Sequence, residues 1–269
     1  MIQYKNVQLT VFESQLFKTT STVIQTEDCV IVVDPTWLPS EVKEIRQYIN
    51  EIKGSRPLYL LFTHSDWDHI IAYGAFPDAK VIASEAFVHQ DEKEQILEQI
   101  REFDDKYYLD RPYPIQYPEV DIVVREDGQV VKIGQTTLTF YLAEGHTNDG
   151  IYTIIEPLGI WLAGDYLSDV EFPYIYFSSE KYEDTLAKTE IILQNHDVEI
   201  LIPGHGHVTE SIEEIKKRTQ DSFNYIKELR NCIRNDRESL YLIEGYSYKR
   251  GIKAFHEGNI TLMNKENHK

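Results

Sequence analysis

Between Thr63 and His69 the chain runs Thr-His-Ser-Asp-Trp-Asp-His, so His64, Asp66, Asp68 and His69 fall within six residues. Imidazole nitrogens and carboxylate oxygens are the donors that zinc, manganese and iron take from proteins. Three similar residues stand downstream, His146, Asp165 and His205, each directly after a glycine. A glycine permits a tight turn and a close backbone approach. Taken singly, each of these seven reads as a capping or surface residue. Taken together, in order and context, they predict a metal site.

The surrounding elements explain how such distant residues could meet. Leu58–Phe62 is an apolar run that reads as a buried strand delivering its polar cluster onto a loop. Strands Thr136–Leu142, Ile160–Leu162 and Glu199–Ile202 precede His146, Asp165 and His205 in the same way. Further strands are expected around Val7–Val11, at Thr22–Gln25 and Val30–Val33 as a hairpin, and at Lys80–Ala83, Asp121–Val124, Gln129–Ile133 and Ile151–Ile155. A helix capped by Ser40 should present Val42, Ile45, Ile49 and Ile52 on one face. Residues 84 to 110 read as a charged helix with a thin stripe of Ile96, Ile100 and Phe103, stopped by Pro112, Pro114 and Pro118. Helices are also expected at 181–195 and from Ser211, where Ser211 and Glu214 form a capping box and Ile212, Ile215, Phe223, Ile226 and Leu229 give the buried face. Two blocks emerge, each of strands followed by helix. Two sheets packed face to face with helices outside would bring the strand ends together along one edge.

Composition narrows the function. At 42% hydrophobic residues the chain can build a substantial core, and no apolar run is long enough to span a bilayer. A formal net charge of -18 opposes loose binding to nucleic acid or anionic lipid. Large polyanionic substrates are disfavoured, whereas small anionic ones are not. The first residues lack the basic segment and apolar stretch of a secretory signal. Cys29 and Cys232 lie far apart and outside any CxxC pair, so a reduced, cytoplasmic protein is expected.

The ordered set, with its neighbours Gly-His-Thr, Gly-Asp and Pro-Gly-His-Gly, resembles the metallo-β-lactamase superfamily over approximately residues 7 to 210. The resemblance implies an α+β fold, a four-layer αββα sandwich, here as a single domain over 1–269 with a helical insert at about 84–118 and a C-terminal helical extension at about 209–269. It implies a binuclear site in which His64, Asp66 and His146 bind one metal, Asp68, His69 and His205 bind the other, and Asp165 bridges. The family's usual second histidine is Asp66 here. That H-x-D-x-D-H variant resembles phosphorylcholine esterases and the nuclease-like domain of DNA-uptake channel proteins, whose members cleave phosphodiesters. Two zinc ions are the expected cofactors, and the harder carboxylate at Asp66 admits manganese or iron. Asp34 is expected to support the site by accepting a hydrogen bond from a ligand histidine. His207 reads as a loop residue near the mouth, and no role is assigned to His89, His196, His256 or His268.

Paired cations lower the pKa of a bridging water towards neutrality, and the hydroxide attacks a carbonyl carbon or a phosphorus. Asp68 is expected to orient that nucleophile and pass a proton to the leaving group. The expected activity is therefore hydrolysis of a small ester, lactone or phosphodiester. The alternatives are a di-iron or mononuclear-iron oxidoreductase on the same fold, or a non-catalytic metal-binding protein. Specificity should come from the aromatic edges. Tyr174, Tyr176 and Trp67 are the pocket candidates, although packing is the readier explanation for Trp67 and for most of the rings in 84–118. The expected partner is a small-molecule substrate, with no nucleic acid and no membrane. A homodimer stays open, as does the role of the 84–118 segment as lid or interface.

Overall fold

The structure, a computed structural model, describes residues 1–267; His268 lies outside the described residues. Seven strands form the first sheet in sequence order: β1 (Ile2–Lys5), β2 (Leu9–Glu13), β3 (Thr20–Gln25), β4 (Val30–Val33), β5 (Leu58–Leu61), β6 (Lys80–Ser84) and β7 (Ile122–Val124). Strands β1 to β4 are antiparallel, and β4 to β7 are parallel. The second sheet holds β8 (Gln129–Ile133), β9 (Thr136–Leu142), β10 (Ile151–Glu156), β11 (Ile160–Leu162) and β12 (Ile200–Ile202), in the order β12-β11-β10-β9-β8. Its first two strands pair in parallel. The helices are α1 (Pro39–Lys53), α2 (Trp67–Ile70), α3 (Glu85–Val88), α4 (Lys93–Tyr107), α5 (Ser179–Asn195), α6 (Ile212–Arg234) and α7 (Lys249–Glu266).

Period-two alternation sorts the strand side chains into three apolar layers. Ile31 and Val33, Tyr59 and Leu61, and Ile82 point at the second sheet, where they meet Leu138, Phe140, Ile151, Ile155 and Leu162. Their neighbours Val30, Val32, Leu60, Phe62, Val81 and Ala83 point outward beneath α1 and α4. On the far side Tyr152, Ile154 and Trp161 lie under α5, α6 and α7. Three apolar layers between four layers of structure make the αββα sandwich.

The segment expected as an insert builds the outer layer of the first sheet. Ile96, Leu97 and Ile100 of α4 join the same apolar cluster as Val42, Ile45 and Ile49 of α1. The Arg111 side chain, almost fully buried, pins the following loop with two bonds of 2.8 Å to Asp104 and one of 2.7 Å to the Trp37 carbonyl.

Several local expectations need correction. Helix α1 starts at Pro39, with Ser40 inside its first turn, because proline presets the first helical φ and Glu41 reaches back to the Leu38 N–H at 3.1 Å. The stretch 84–110 is two helices, α3 and α4. The second ends at Tyr107, capped by Tyr108 at a left-handed φ of 55°, before any proline is reached. Ser211 accepts the Glu214 N–H at 3.2 Å, but the Glu214 carboxylate turns to Arg218, so only half of the capping box forms. Val7 is exposed in the turn between β1 and β2.

Candidate metal centre

All seven predicted side chains meet at one edge of the sandwich, where the two sheets are tied together. The Ile151 N–H of β10 donates to the Thr63 carbonyl at 2.8 Å, and the Thr20 N–H of β3 donates to the Gly204 carbonyl at 2.7 Å. Donor atoms of His64, Asp66, His146 and Asp165 lie within 4.8 Å of one another, as do those of Asp68, His69 and His205. Asp165 reaches both groups: its Oδ2 is 3.3 Å from His146 Nε2 and 3.4 Å from His205 Nε2, and its Oδ1 is 3.1 Å from His69 Nε2. Asp66 Oδ2 lies 3.2 Å from His146 Nε2. Asp68 Oδ2 lies 3.6 Å from His69 Nε2 and 3.5 Å from His205 Nε2.

The glycines before these residues have separate reasons. Gly164 sits at a left-handed φ of 52°. Gly204 packs so closely on the Asp165 carboxylate that any Cβ there would overlap it.

What fixes the histidines is on their other nitrogen. The Thr63 hydroxyl donates to Asp34 Oδ2 at 2.5 Å, so its oxygen is left to accept the Nδ1–H of His64 at 2.9 Å. His69 Nδ1–H donates to the same Asp34 oxygen at 3.0 Å. His146 Nδ1–H donates to the Tyr174 carbonyl at 2.7 Å, and His205 Nδ1–H to the Phe17 carbonyl at 2.9 Å. Each bond selects the tautomer whose Nε2 lone pair faces the centre. Among the described residues, Nε2 of His64, His69 and His146 and Oδ1 of Asp165 are buried without a hydrogen-bond partner. Buried polar atoms are seldom left unmatched. Four aligned lone pairs among three carboxylates fit divalent cations.

The charges agree. Burial pushes His64 down to about 3, helped by the charge of His69. Burial also opposes a proton on His146, yet Asp165 and Asp66 outweigh it and lift the ring to about 10. His69 and His205 are raised against burial by their carboxylate neighbours. Burial raises Asp165 but is overcome by His205, His69 and His64, leaving it well below the usual carboxylate range. A cation entering such a cluster must displace protons.

The model of the metallo-β-lactamase superfamily matches residues 15–205. The chain belongs to that superfamily. No curated protein matches it. Similar solved structures include a metallo-β-lactamase from Cronobacter sakazakii with a mutated HARLDQ motif, at 18% identity and a TM-score of 0.61, covering 87% of this chain and 99% of that one. A metallo-β-lactamase family protein from Thermus thermophilus has 16% identity and a TM-score of 0.64, covering 95% of this chain and 91% of that one. ETHE1 from Myxococcus xanthus has 18% identity and a TM-score of 0.55, covering 82% and 90%. At these identities the likeness is one of fold.

Around this superfamily site the remaining candidates fall differently. Asp34 sits where the sequence expects it, accepting from His69 and also from the Thr63 N–H and hydroxyl. The Tyr176 ring lies 5.0 Å from that of His146 and is half exposed at the mouth. Trp67 packs edge-on to Trp37 at 4.8 Å and against Phe103 at 5.2 Å, so it joins the core to α4. Tyr174 is buried, with its ring stacked on Phe255 at 4.3 Å. His207 pairs with Asp169 at 2.8 Å, outside the cluster.

Sequence reasoning assigns no role to three residues near the centre. Thr63 relays Asp34 to His64. Asp149 accepts the Ser65 N–H at 3.5 Å. Glu171 brings Oε1 to 3.8 Å from His205 Nδ1. The adjacency of Thr63 to His64 could have signalled the first. The other two depend on loop paths that no local pattern encodes.

Proposed function

We propose that the chain is a binuclear metal-dependent hydrolase of a small ester, lactone or phosphodiester, with His64, Asp66 and His146 holding one cation, Asp68, His69 and His205 the other, and Asp165 between them. The observation that carries this reading is the set of inward lone pairs, three of them buried and unmatched, whose tautomers are fixed from behind. When bound, the cations would activate water and polarise a substrate oxygen. The chain's own residues do the rest. Asp34 and Thr63 keep the rings from turning. The Thr36 hydroxyl, donating to the Asp68 carbonyl at 2.6 Å, steadies the turn that presents the Asp68 carboxylate. That carboxylate, partly exposed, is the proton carrier between nucleophile and leaving group. Asp66 is the most open member, with 28% of its side chain exposed, so substrate approaches from its side.

Zinc is the preferred cation, and the harder carboxylate at Asp66 admits manganese or iron. Cys29 and Cys232 are both buried and free, which fits a reducing, cytoplasmic setting. No helix among the described residues is long and apolar enough to cross a membrane.

The test is metal analysis of the purified protein coupled to turnover of bis-p-nitrophenyl phosphate, an aryl ester and a lactone. Turnover of one class that stops on chelation and returns with added cation is expected. Oxygen consumption without hydrolysis would transfer the site to the oxidoreductase reading.

A further inference from the structure

A cavity of about 610 Å³ lies beside the metal cluster, between the Phe17–Lys18 loop, the loop after β11 and the start of α7. None of the seven histidines and aspartates lines it. It is nevertheless joined to them, because the carbonyls of its wall residues Phe17 and Tyr174 hold His205 and His146. Its volume suits a small organic ligand.

The walls are apolar: Phe17, Val170, Tyr174, Ile252 and Phe255 face it. The charged groups are unevenly placed. Lys18 is engaged by Glu13 at 2.7 Å. Lys249 and Arg250, on the first turn of α7, also line the cavity, and neither has a carboxylate within 4.0 Å among the described residues. The helix start adds positive potential at the same place. In a chain of net charge -18 this is a local reversal of sign. Glu171 also lines the cavity, next to His205.

We propose that this cavity binds one arm of the substrate, an apolar chain ending in a carboxylate. The carboxylate lies at Lys249 and Arg250, the chain lies against Phe17, Ile252 and Phe255, and the uncharged end points past Glu171 to the cations. Calling the ligand an arm of the substrate rests on the hydrolase reading; the binding itself does not.

Octanoate, octanol and octyltrimethylammonium serve as probes with the metal-loaded protein, followed by calorimetry and by the fluorescence of Trp37, whose ring stacks on Phe17 at 5.5 Å. Octanoate is expected to bind at least about tenfold tighter than octyltrimethylammonium. The double variant Lys249→Glu/Arg250→Glu, at two exposed positions, is expected to abolish that preference and leave octanol unchanged. Ile252→Trp, which fills the cavity, should weaken both octanoate and octanol. Equal affinity for the three probes, or octanoate binding indifferent to the double variant, overturns the proposal. Octanoate bound directly to the cations would show the second pattern. Should the phosphodiester, the aryl ester and the lactone all go unhydrolysed while the charge preference persists, the hydrolase reading falls and the cavity assignment stands. Hydrolysis without the preference has the opposite meaning.

Discussion

His64, Asp66, Asp68 and His69 leave the end of one strand together, whereas His146, Asp165 and His205 arrive from three strand ends of the other sheet. The first group is held by side chains: Asp34 and Thr63 bond both of its histidines. The second is held mainly by backbone, with the Tyr174 and Phe17 carbonyls taking the protons of His146 and His205 and the Thr19 hydroxyl 3.3 Å from His205 Nδ1. A side-chain support can be deleted by one substitution. A carbonyl can only be displaced, by loosening the loop that carries it. The first half should therefore be brittle, and the second should fail through its anchors.

The largest effect is expected where the halves share a residue. Asp165→Ala should deplete both cations and lower kcat/KM by well over the ten- to hundredfold typical of supporting residues, as read by metal analysis and steady-state kinetics. Loss from one half alone would show that Asp165 belongs to only one group. Asp34→Ala comes next. It strips the acceptor from His69, from the Thr63 hydroxyl and from the Thr63 N–H. Cation affinity, measured by chelator competition, should fall about 10–100-fold.

Asn259→Ala probes the backbone-held half. Asn259 is buried on α7, accepts the Ile175 N–H at 2.9 Å and donates to the Pro173 carbonyl at 2.7 Å, clasping the loop whose Tyr174 carbonyl holds His146. Its removal should cost about 1–3 kcal/mol of stability. It should also weaken cation retention less than Asp34→Ala does. A larger loss from Asn259→Ala would reverse the ranking of the two halves.

The smallest effect concerns the same helix and pH. His256 is buried, bonded to Tyr225 at 2.8 Å and to Ser239 at 2.9 Å, and burial pushes its pKa below the ordinary histidine value of 6.5, with Glu257 opposing weakly. The unfolded chain then takes up a proton at a higher pH than the folded one. This contribution to stability is complete above about pH 6.5 and is lost as pH falls towards the depressed folded value. Protection of the α7 amides against hydrogen exchange, corrected for the intrinsic slowing of exchange in acid, should fall from pH 7 to 5, and His256→Gln should flatten that fall.

The same contrast explains what was legible in the sequence. Strand-end donors, three of the seven directly after a glycine, are local signals, because a buried strand and a tight turn leave their mark within a few residues. That is why all seven residues, both sheets and the outer helices could be anticipated. Helix starts were less legible. Ser40 has the chemistry of a cap, but Pro39 and the backward reach of Glu41 decide the register. The break between α3 and α4 occurs at ordinary polar residues. The supports of the second half were hidden, since a carbonyl has no residue type. Glu171 and Asn259 become meaningful only when α7 packs beside the loop after β11.

The most direct test of paired cations is an anomalous difference map from crystals of the metal-loaded protein, recorded at the absorption edge of the bound element. Two peaks are predicted, one among His64, Asp66 and His146 and the other among Asp68, His69 and His205, with the Asp165 carboxylate between them. A map with no peak there, or with all density outside these seven side chains, would contradict the account.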